Sequence, residues 1–569
     1  MLKRRFKADF LVLSLIIFAF IAIVPMQAQA SGQGLSYGSW EVDGFFRNNT
    51  GVFTQDFDYA NSDDPLATCR NWFRLNLNGK ISKSLRLKAE VLAIYEPEYS
   101  RERGAGGTIP ANYQNSFDFR EMRLDWRPKM GHNIRIGKQI VNWGESLSAR
   151  VGDVVNPVDA RFDLGFTNLE DTRMPIWMIR GIHQISSIST SIDWIVAPYM
   201  QADRFRVSRT DAFNAGGIDA DGNNWNGVAD NRWTAYPNYH AFSNDGSRQL
   251  TAAEMLTVYD IGTAMGGAPS YIYVPAPSLY AGLGSMFTEL PAGVPLGLPG
   301  LPTTPIAGSY LLGAPVVEYA YPGSGLSDAR YGFKTSSTIF GAQTGVYFWR
   351  GHQDQGIVST PPLERQIDPA TGLYTNTYLY EYTRQNSYGF YANKNFDFGV
   401  MRCDVVYRPD VRFQSTNFVK NPDGIVELDM VKAQIGYNKD FLFTPLNENQ
   451  TFGFIAEYVG TFILDSDTDR AVQAFPFTIR QPRDDHQIML QLATNYNFGM
   501  YFLSTTVIYD FHKNGLFQPS FTYNPDWMNR KWSFKLQYNH IFYDDKFDHG
   551  YAVAHEKNSV ILTTQFSFP

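Results

Sequence analysis

Trp72-Phe-Arg-Leu-Asn-Leu-Asn-Gly-Lys-Ile81 is a segment with two unlike faces. Phe73, Leu75, Leu77, Gly79 and Ile81 fall on one side; Arg74, Asn76, Asn78 and Lys80 fall on the other. Successive side chains of a strand point to opposite faces, so the pattern is that of a strand between an apolar and a polar medium. The same rhythm closes the chain, where Val560, Leu562, Thr564, Phe566 and Phe568 alternate with Ile561, Thr563, Gln565 and Ser567. Many such segments in one chain predict a closed antiparallel transmembrane β-barrel, in which every backbone group is paired and no sheet edge remains.

The rows form two blocks, about 40–199 and about 331–569. The first holds the Phe73 row, then Leu85 to Tyr95, Met122 to Trp126, Ile134 with Ile136, and Ile188 to Val196. The second holds Met401 to Tyr407, Val431 to Tyr437, Ile488 to Tyr496, Tyr501 to Phe511, Trp532 to Tyr538 and the terminal row. Asn497-Phe498-Gly499 and Asn524-Pro525-Asp526 are turn signals between them. The expectation is an all-β barrel of about 16 strands, within roughly 14 to 18, since single-chain barrels favour even numbers.

Residues 1–30 read as an export signal. Lys3, Arg4, Arg5 and Lys7 precede an apolar run from Phe10 to Val24, and Ala28-Gln29-Ala30 supplies small residues for cleavage after Ala30. The run is shorter than the ~20 residues a helix needs to span a bilayer. Residues 31–569 are then the barrel, placed in the outer membrane of a Gram-negative cell. Its expected surroundings are outer-membrane lipid, lipopolysaccharide and the barrel-assembly machinery. Lys and Arg number 49 against 56 Asp and Glu, a net charge of −7. Loss of the basic signal makes the balance more negative, which argues against nucleic acid as a partner.

Between the blocks, Gln201 to Gly325 lacks strand rhythm. Asp219 to Asp230 and Trp233 to Asn244 are polar and aromatic, and Thr251 to Thr257 suits a short helix. The stretch from Val274 to Val317 is rich in Pro and Gly yet apolar, which predicts no regular strand or helix and a need for burial. It is expected to narrow or cap the pore as a loop or plug; a surface loop under lipopolysaccharide is the alternative. Asp219, Asp221, Asn223 and Asp230 take positions 1, 3, 5 and 12 of a calcium-type loop. Asn224 and Asp230 depart from the EF-hand pattern, so a structural calcium ion and a metal-free turn both remain open.

One strand carries charge on its second face. Glu121, Arg123 and Asp125 alternate with Met122, Leu124 and Trp126. A midplane Arg or Lys costs roughly 2–4 kcal/mol against lipid, so these charges must face the lumen. Pairing Trp126 with Ile134 and Leu124 with Ile136 would set Asp125 opposite Arg135. The ladder could select solutes, or could be a hydrated wall whose charges neutralise one another.

Cys69 and Cys403 could form one disulfide in an oxidising compartment, but Cys403 lies in the apolar row Met401 to Tyr407 and also suits an unpaired small residue. No haem or zinc spacing is present. The histidines stand in no recognisable Ser or Asp framework, so no enzyme and no cofactor are expected. The aromatics Trp40, Phe45, Phe46, Trp349, Tyr378, Tyr380, Tyr382, Trp527 and Trp532 suit interface girdles or an apolar path for a solute.

The least generic stretch is Arg135-Ile-Gly-Lys-Gln-Ile-Val-Asn-Trp-Gly-Glu-Ser146, followed by Val154-Val-Asn-Pro-Val-Asp159. Gly137, Lys138, Gln139, Asn142, Trp143, Gly144, Glu145, Asn156, Pro157 and Asp159 together resemble the signature of an outer-membrane family known as domain of unknown function 1302. The resemblance is specific over these residues and diffuse elsewhere. It implies an outer-membrane barrel for export or uptake of hydrophobic compounds, beside a periplasmic lipoprotein and an inner-membrane efflux-type pump. From the residues themselves, Gly144 would permit a bend, Asn142 and Glu145 would bond turn backbone, and the segment would fold against or into the barrel mouth.

The expected function is an outer-membrane channel or transporter for a hydrophobic or amphipathic solute, gated by the middle insert. A general diffusion porin, and a structural or adhesive barrel or conduit sheath, are the alternatives.

Overall fold

The computed structural model describes residues 39–54, 66–96, 115–159, 169–201, 326–353, 382–415, 425–464, 483–544 and 558–568, with short stretches between them. The signal segment, the helix expected at Thr251 to Thr257 and the calcium-type loop lie outside the described residues.

The wall is built from β1 (Trp40–Phe53), β2 (Leu66–Lys80), β3 (Leu85–Tyr95), β4 (Asn115–Trp126), β5 (His132–Gln139), β6 (Ile176–Ile185) and β7 (Thr190–Ala197). After the middle insert come β8 (Arg330–Ile339), β9 (Ala342–His352), β10 (Arg384–Phe396), β11 (Gly399–Ser415), β12 (Ile425–Phe441) and β13 (Phe452–Ile463). The last five are β14 (Asp484–Tyr496), β15 (Tyr501–Asp510), β16 (Asn514–Tyr523), β17 (Trp532–Phe542) and β18 (Ser559–Phe568). Each strand pairs antiparallel with the next, β8 pairs with β7 across the insert, and β18 pairs with β1. The result is a closed barrel of 18 strands, wide enough to leave a bore.

The count exceeds the expected 16 because some strands break the alternation. In β10 the outward row runs from Tyr388 and Phe390 to Ala392 and Lys394, which is a weak apolar signal. In β16, Pro519 has no N–H, a feature that argues against a wall strand. It keeps its place against Thr505 of β15, while the ladder to β17 is interrupted between Phe517 and Ser520. Ile188 also departs from the expected row: it sits in a 3-10 turn, and β7 starts at Thr190.

Exposed apolar residues mark the outer face, among them Leu124, Trp126, Ile136, Phe333, Val346, Ile435 and Leu536. A closed barrel with such a belt is the form in which strands cross a bilayer. A bulge shifts the pattern in β4. Glu121 lies opposite Glu90 and Phe119 opposite Val91, so Arg120 is the extra residue. The outward row changes from Phe117 and Phe119 to Met122, Leu124 and Trp126, and Arg120 and Glu121 both turn inward.

Within the Pro/Gly-rich insert, the structure corrects the expectation that no strand forms. Tyr310–Gly313 pairs with Tyr271–Val274 and with Thr288–Glu289. Val316–Ala320 pairs in parallel with Thr377–Glu381 from the β9–β10 connection. Backbone pairing satisfies short segments even where Pro and Gly forbid long ones. Cys69 and Cys403 are both unpaired.

Candidate functional site

The chain between β5 and β6 leaves the wall and enters the bore. Shortly before the departure, Gly137 lies in the wall between Arg123 and Met178 with a φ of +135°. A Cβ there would lie 2.1 Å from the Met122 carbonyl oxygen. Only glycine fits such a position. Residues 140–159 lie inside the barrel, and after a helical turn at Leu169–Thr172 the chain rejoins the wall at Ile176.

Asn156 staples the two legs of this strap. It is fully buried; its Oδ1 accepts the Val141 N–H at 2.7 Å and its Nδ2 donates to the Met174 carbonyl at 2.7 Å. Pro157 supplies a carbonyl to Met174 N–H at 2.7 Å, and Asp159 N–H donates to the Thr172 carbonyl at 2.7 Å. The Asn156, Pro157 and Asp159 motif positions therefore hold the return of the strap.

The first half of the strap packs dry against the wall. Val141, Trp143, Val151, Val154 and Val155 form one core with Ile176, Met178, Ile195, Tyr347, Trp349, Tyr391, Val406 and Val459. Trp143 meets Trp349 edge to face, with ring centroids 6.0 Å apart. At roughly 1.5–3 kcal/mol per buried large apolar side chain, this core supplies the main adhesion.

Buried carboxylates then fix the register. Asp193 on β7 accepts Trp143 Nε1–H at 3.1 Å and pairs with Arg180 at 2.6 Å. Asp404 on β11 accepts Glu145 N–H at 3.1 Å and the Tyr347 hydroxyl at 3.1 Å. Glu457 on β13 accepts Ser146 Oγ–H at 2.7 Å, Ser148 N–H at 2.8 Å and Leu147 N–H at 3.0 Å, with the Ser148 hydroxyl as well. Cations hold the carbonyls: Lys334 Nζ donates to Trp143 O at 3.0 Å, and Arg402 Nη1 to Glu145 O at 3.0 Å. Hydrogen bonds to charged groups contribute about 1.5–3 kcal/mol each, so the set is directional as well as strong. Gly144 and Gly152 make the approach possible, since a Cβ would lie 2.9 Å and 2.2 Å respectively from Asp404 Oδ2. Close packing, not the bend expected from sequence, explains Gly144.

The return leg is clamped on the opposite wall. Asp171 pairs with Arg47 on β1 at 3.0 Å and lies 4.0 Å from Arg74 on β2, and its carbonyl accepts from Arg120 on β4 at 3.1 Å. Arg173 pairs with Asp153 at 2.5 Å inside the strap. The strap thus spans the bore, from β11 and β13 to β1, β2 and β4.

The charged ladder stands beside the point of departure. Trp126–Ile134, Leu124–Ile136 and Asp125–Arg135 are the observed pairs. Arg123 bonds Glu121 at 2.5 Å and Asp125 at 3.1 Å, Arg135 lies 3.7 Å from Asp125, and Lys88 pairs with Glu121. Glu121 also accepts the Ile140 N–H at 3.2 Å. These groups neutralise one another and secure the start of the strap.

Of the remaining motif residues, Lys138 pairs with Asp118 at 2.6 Å and Gln139 is fully buried. Asn142 caps Gly144 N–H at 3.1 Å. Glu145 bonds through its backbone, whereas a side-chain role was expected. Phe45 and Trp349 turn inward and are not girdle residues. Sequence reading missed the anchors Asp193, Lys334, Arg402, Asp404 and Glu457. For Asp193 and Glu457 the available signal was a single charge in an otherwise neutral strand; Lys334, Arg402 and Asp404 share their strands with other charges and gave no such signal.

The strap seals the inner face from β6 to β13 and leaves β14 to β18 as open wall. Toward the short-turn end the inward positions include Gln491, Ser504, Thr506, Gln518, Ser520, Thr522, Gln537 and Thr563, hydrogen-bonding groups with Lys535 among them; toward the other end follow Asp485, Asp510 and the buried cluster of Met489, Ile508, Leu516 and Ile541.

A family model described as protein of unknown function (DUF1302) matches residues 12–568. No curated protein matches the chain. Among solved structures, the chain is similar to Acinetobacter baumannii OccAB3, with a TM-score of 0.42 and 8% identity over 94% of this chain and 100% of that one. Pseudomonas aeruginosa OccK2 (OpdF) in complex with glucuronate gives a TM-score of 0.41 and 7% identity over 94% and 99%. Salmonella typhi OmpF complexed with daunomycin gives 0.36 and 6% over 94% and 99%.

Proposed function

The chain belongs to the DUF1302 family, and from that premise and the geometry of its bore we propose that it is an outer-membrane channel of a Gram-negative cell, narrowed by the strap formed by residues 140–159 and 169–173. The supporting observation is the strap bonded to opposite walls by Glu457 and by Asp171. A bore crossed in this way cannot pass solutes as a wide general pore would. Size selection is set where the strap faces the open wall of β14 to β18. A continuous row of amide and hydroxyl groups there favours a small amphipathic solute that exchanges its water for wall contacts.

The short turns, such as 340–341 between β8 and β9, lie at the periplasmic end by the usual rule for such barrels, and the strap and the middle insert enter from the other end. The insert is part of the proposal as a second restriction above the strap, supported by the pairing of Val316–Ala320 with Thr377–Glu381.

Reconstitution of the purified full chain in planar bilayers tests this reading. Stepwise ion conductance from a heat-modifiable, folded barrel is the expected result. A folded barrel that leaves the bilayer sealed would replace the channel with a structural or adhesive role.

A further inference from the structure

Lys535 is a cation of the open wall with a distinctive setting. It is half-buried, points inward from β17 between Ser533 and Gln537, and pairs across the sheet with Thr522 and Thr563. Among the described residues no carboxylate lies within ion-pair reach of it, and the charge whose field it feels is another cation, Arg47. The inward cations Arg47, Arg123 and Arg180 are each matched by an acid at 2.5–3.0 Å.

Its neighbours complete a recognisable chemistry. Asn495, Phe502, Thr522, Lys535 and Thr563 occupy one cross-strand row over five strands. Phe502 is 39% exposed although it lies on the inward face. Directly below the row, Phe498, Phe502, Thr522 and Ser533 line a cavity of about 610 Å³ at the short-turn mouth. Phe502 and Thr522 of the row thus line this cavity, and Lys535 and Thr563 continue the same inward row beside it.

We propose that this row is a binding step for small amphipathic monoanions, a carboxylate joined to an apolar or aromatic body. Lys535 takes the carboxylate, Thr522 and Thr563 donate to its oxygens, and Phe502 covers the apolar part. One cation without a partner matches one negative charge. A dianion would leave a charge unmatched, and a cation would be repelled. The inference rests on the channel reading and names its solute class.

Planar bilayers carrying the full chain test it, with benzoate and the neutral benzyl alcohol as probes. Benzoate should interrupt the current at lower concentration than benzyl alcohol. Lys535→Gln should raise the half-blocking concentration of benzoate about tenfold, as expected for loss of one charge-assisted contact, and leave that of benzyl alcohol unchanged. Lys535→Arg should retain benzoate block, and Phe502→Ala should weaken block by both probes. Equal block by the two probes, or a Lys535→Gln channel indistinguishable from the parent, would overturn the anion step while the channel stands. A folded parent chain that carries no current would overturn the channel and the anion step together.

Discussion

Glu457 on β13 accepts the Ser146 hydroxyl at 2.7 Å, although 311 positions separate them in the chain. Its carboxylate also holds the backbone of Leu147 and Ser148, and Gln434 steadies it at 3.1 Å. One side chain thus fixes the tip of a strap that starts on the other half of the barrel.

Glu457→Ala should release that tip. It strands several buried donors, and removal of one partner from a buried charged network costs roughly 3–5 kcal/mol. Amide exchange at 145–149 should then accelerate by about 100-fold or more, while exchange in the wall strands stays unchanged. Undiminished protection at 145–149 would show that the carboxylate does not hold the strap.

Gly137→Ala and Gly152→Ala should differ in where they act. The first forces a methyl group to 2.1 Å from the Met122 carbonyl at a φ of +135°, inside the wall. Strain of that kind costs of order 1–3 kcal/mol, so the barrel itself should unfold at lower temperature. The second places a methyl group 2.2 Å from Asp404 Oδ2, within the strap contact. It should leave barrel unfolding unchanged and increase conductance. Identical effects of the two substitutions would contradict the division between wall and strap.

Single-cysteine labelling should separate the two faces of β4. A water-soluble reagent should reach Arg123→Cys from the bore, and a lipid-soluble probe should reach Leu124→Cys from the membrane. The reverse result would place the register off by one.

The closing seam depends on Phe568, which lies opposite Gly44 and stacks against Phe73 at 6.3 Å, with Phe46 at 6.0 Å. Two ring contacts contribute roughly 1–3 kcal/mol beyond area. Phe568→Ala should therefore lower the yield of heat-modifiable barrel in membranes. A normal yield would mean that backbone pairing alone closes the wall.

The wall was largely legible in sequence because its chemistry is local. Phe73 and Arg74 cannot exchange faces without moving a charge into lipid, and Asp125 meets Arg135 as their spacing requires. The Arg120 bulge was not legible, since one extra residue only shows as a change of parity once its partner strand is known. The motif around Trp143 stood out, but its role did not. A tryptophan beside a glycine reads as a turn until Asp193 is found holding the indole N–H and Asp404 is found filling the space a Cβ would need. Those partners come from β7 and β11, and nothing in the spacing links them. The insert drew the expectation of a gate through its apolar composition, whereas the described crossing of the bore belongs to the shorter segment after β5.

The most direct test of the account replaces Trp143–Val155 with a short Gly/Ser linker and compares single-channel conductance with that of the parent chain. The barrel strands make their own closed ladder, so the variant should remain heat-modifiable. Its conductance should rise severalfold, and discrimination between solutes of different size should fall. An unchanged conductance in a folded variant would contradict the claim that the strap sets the width of the pore.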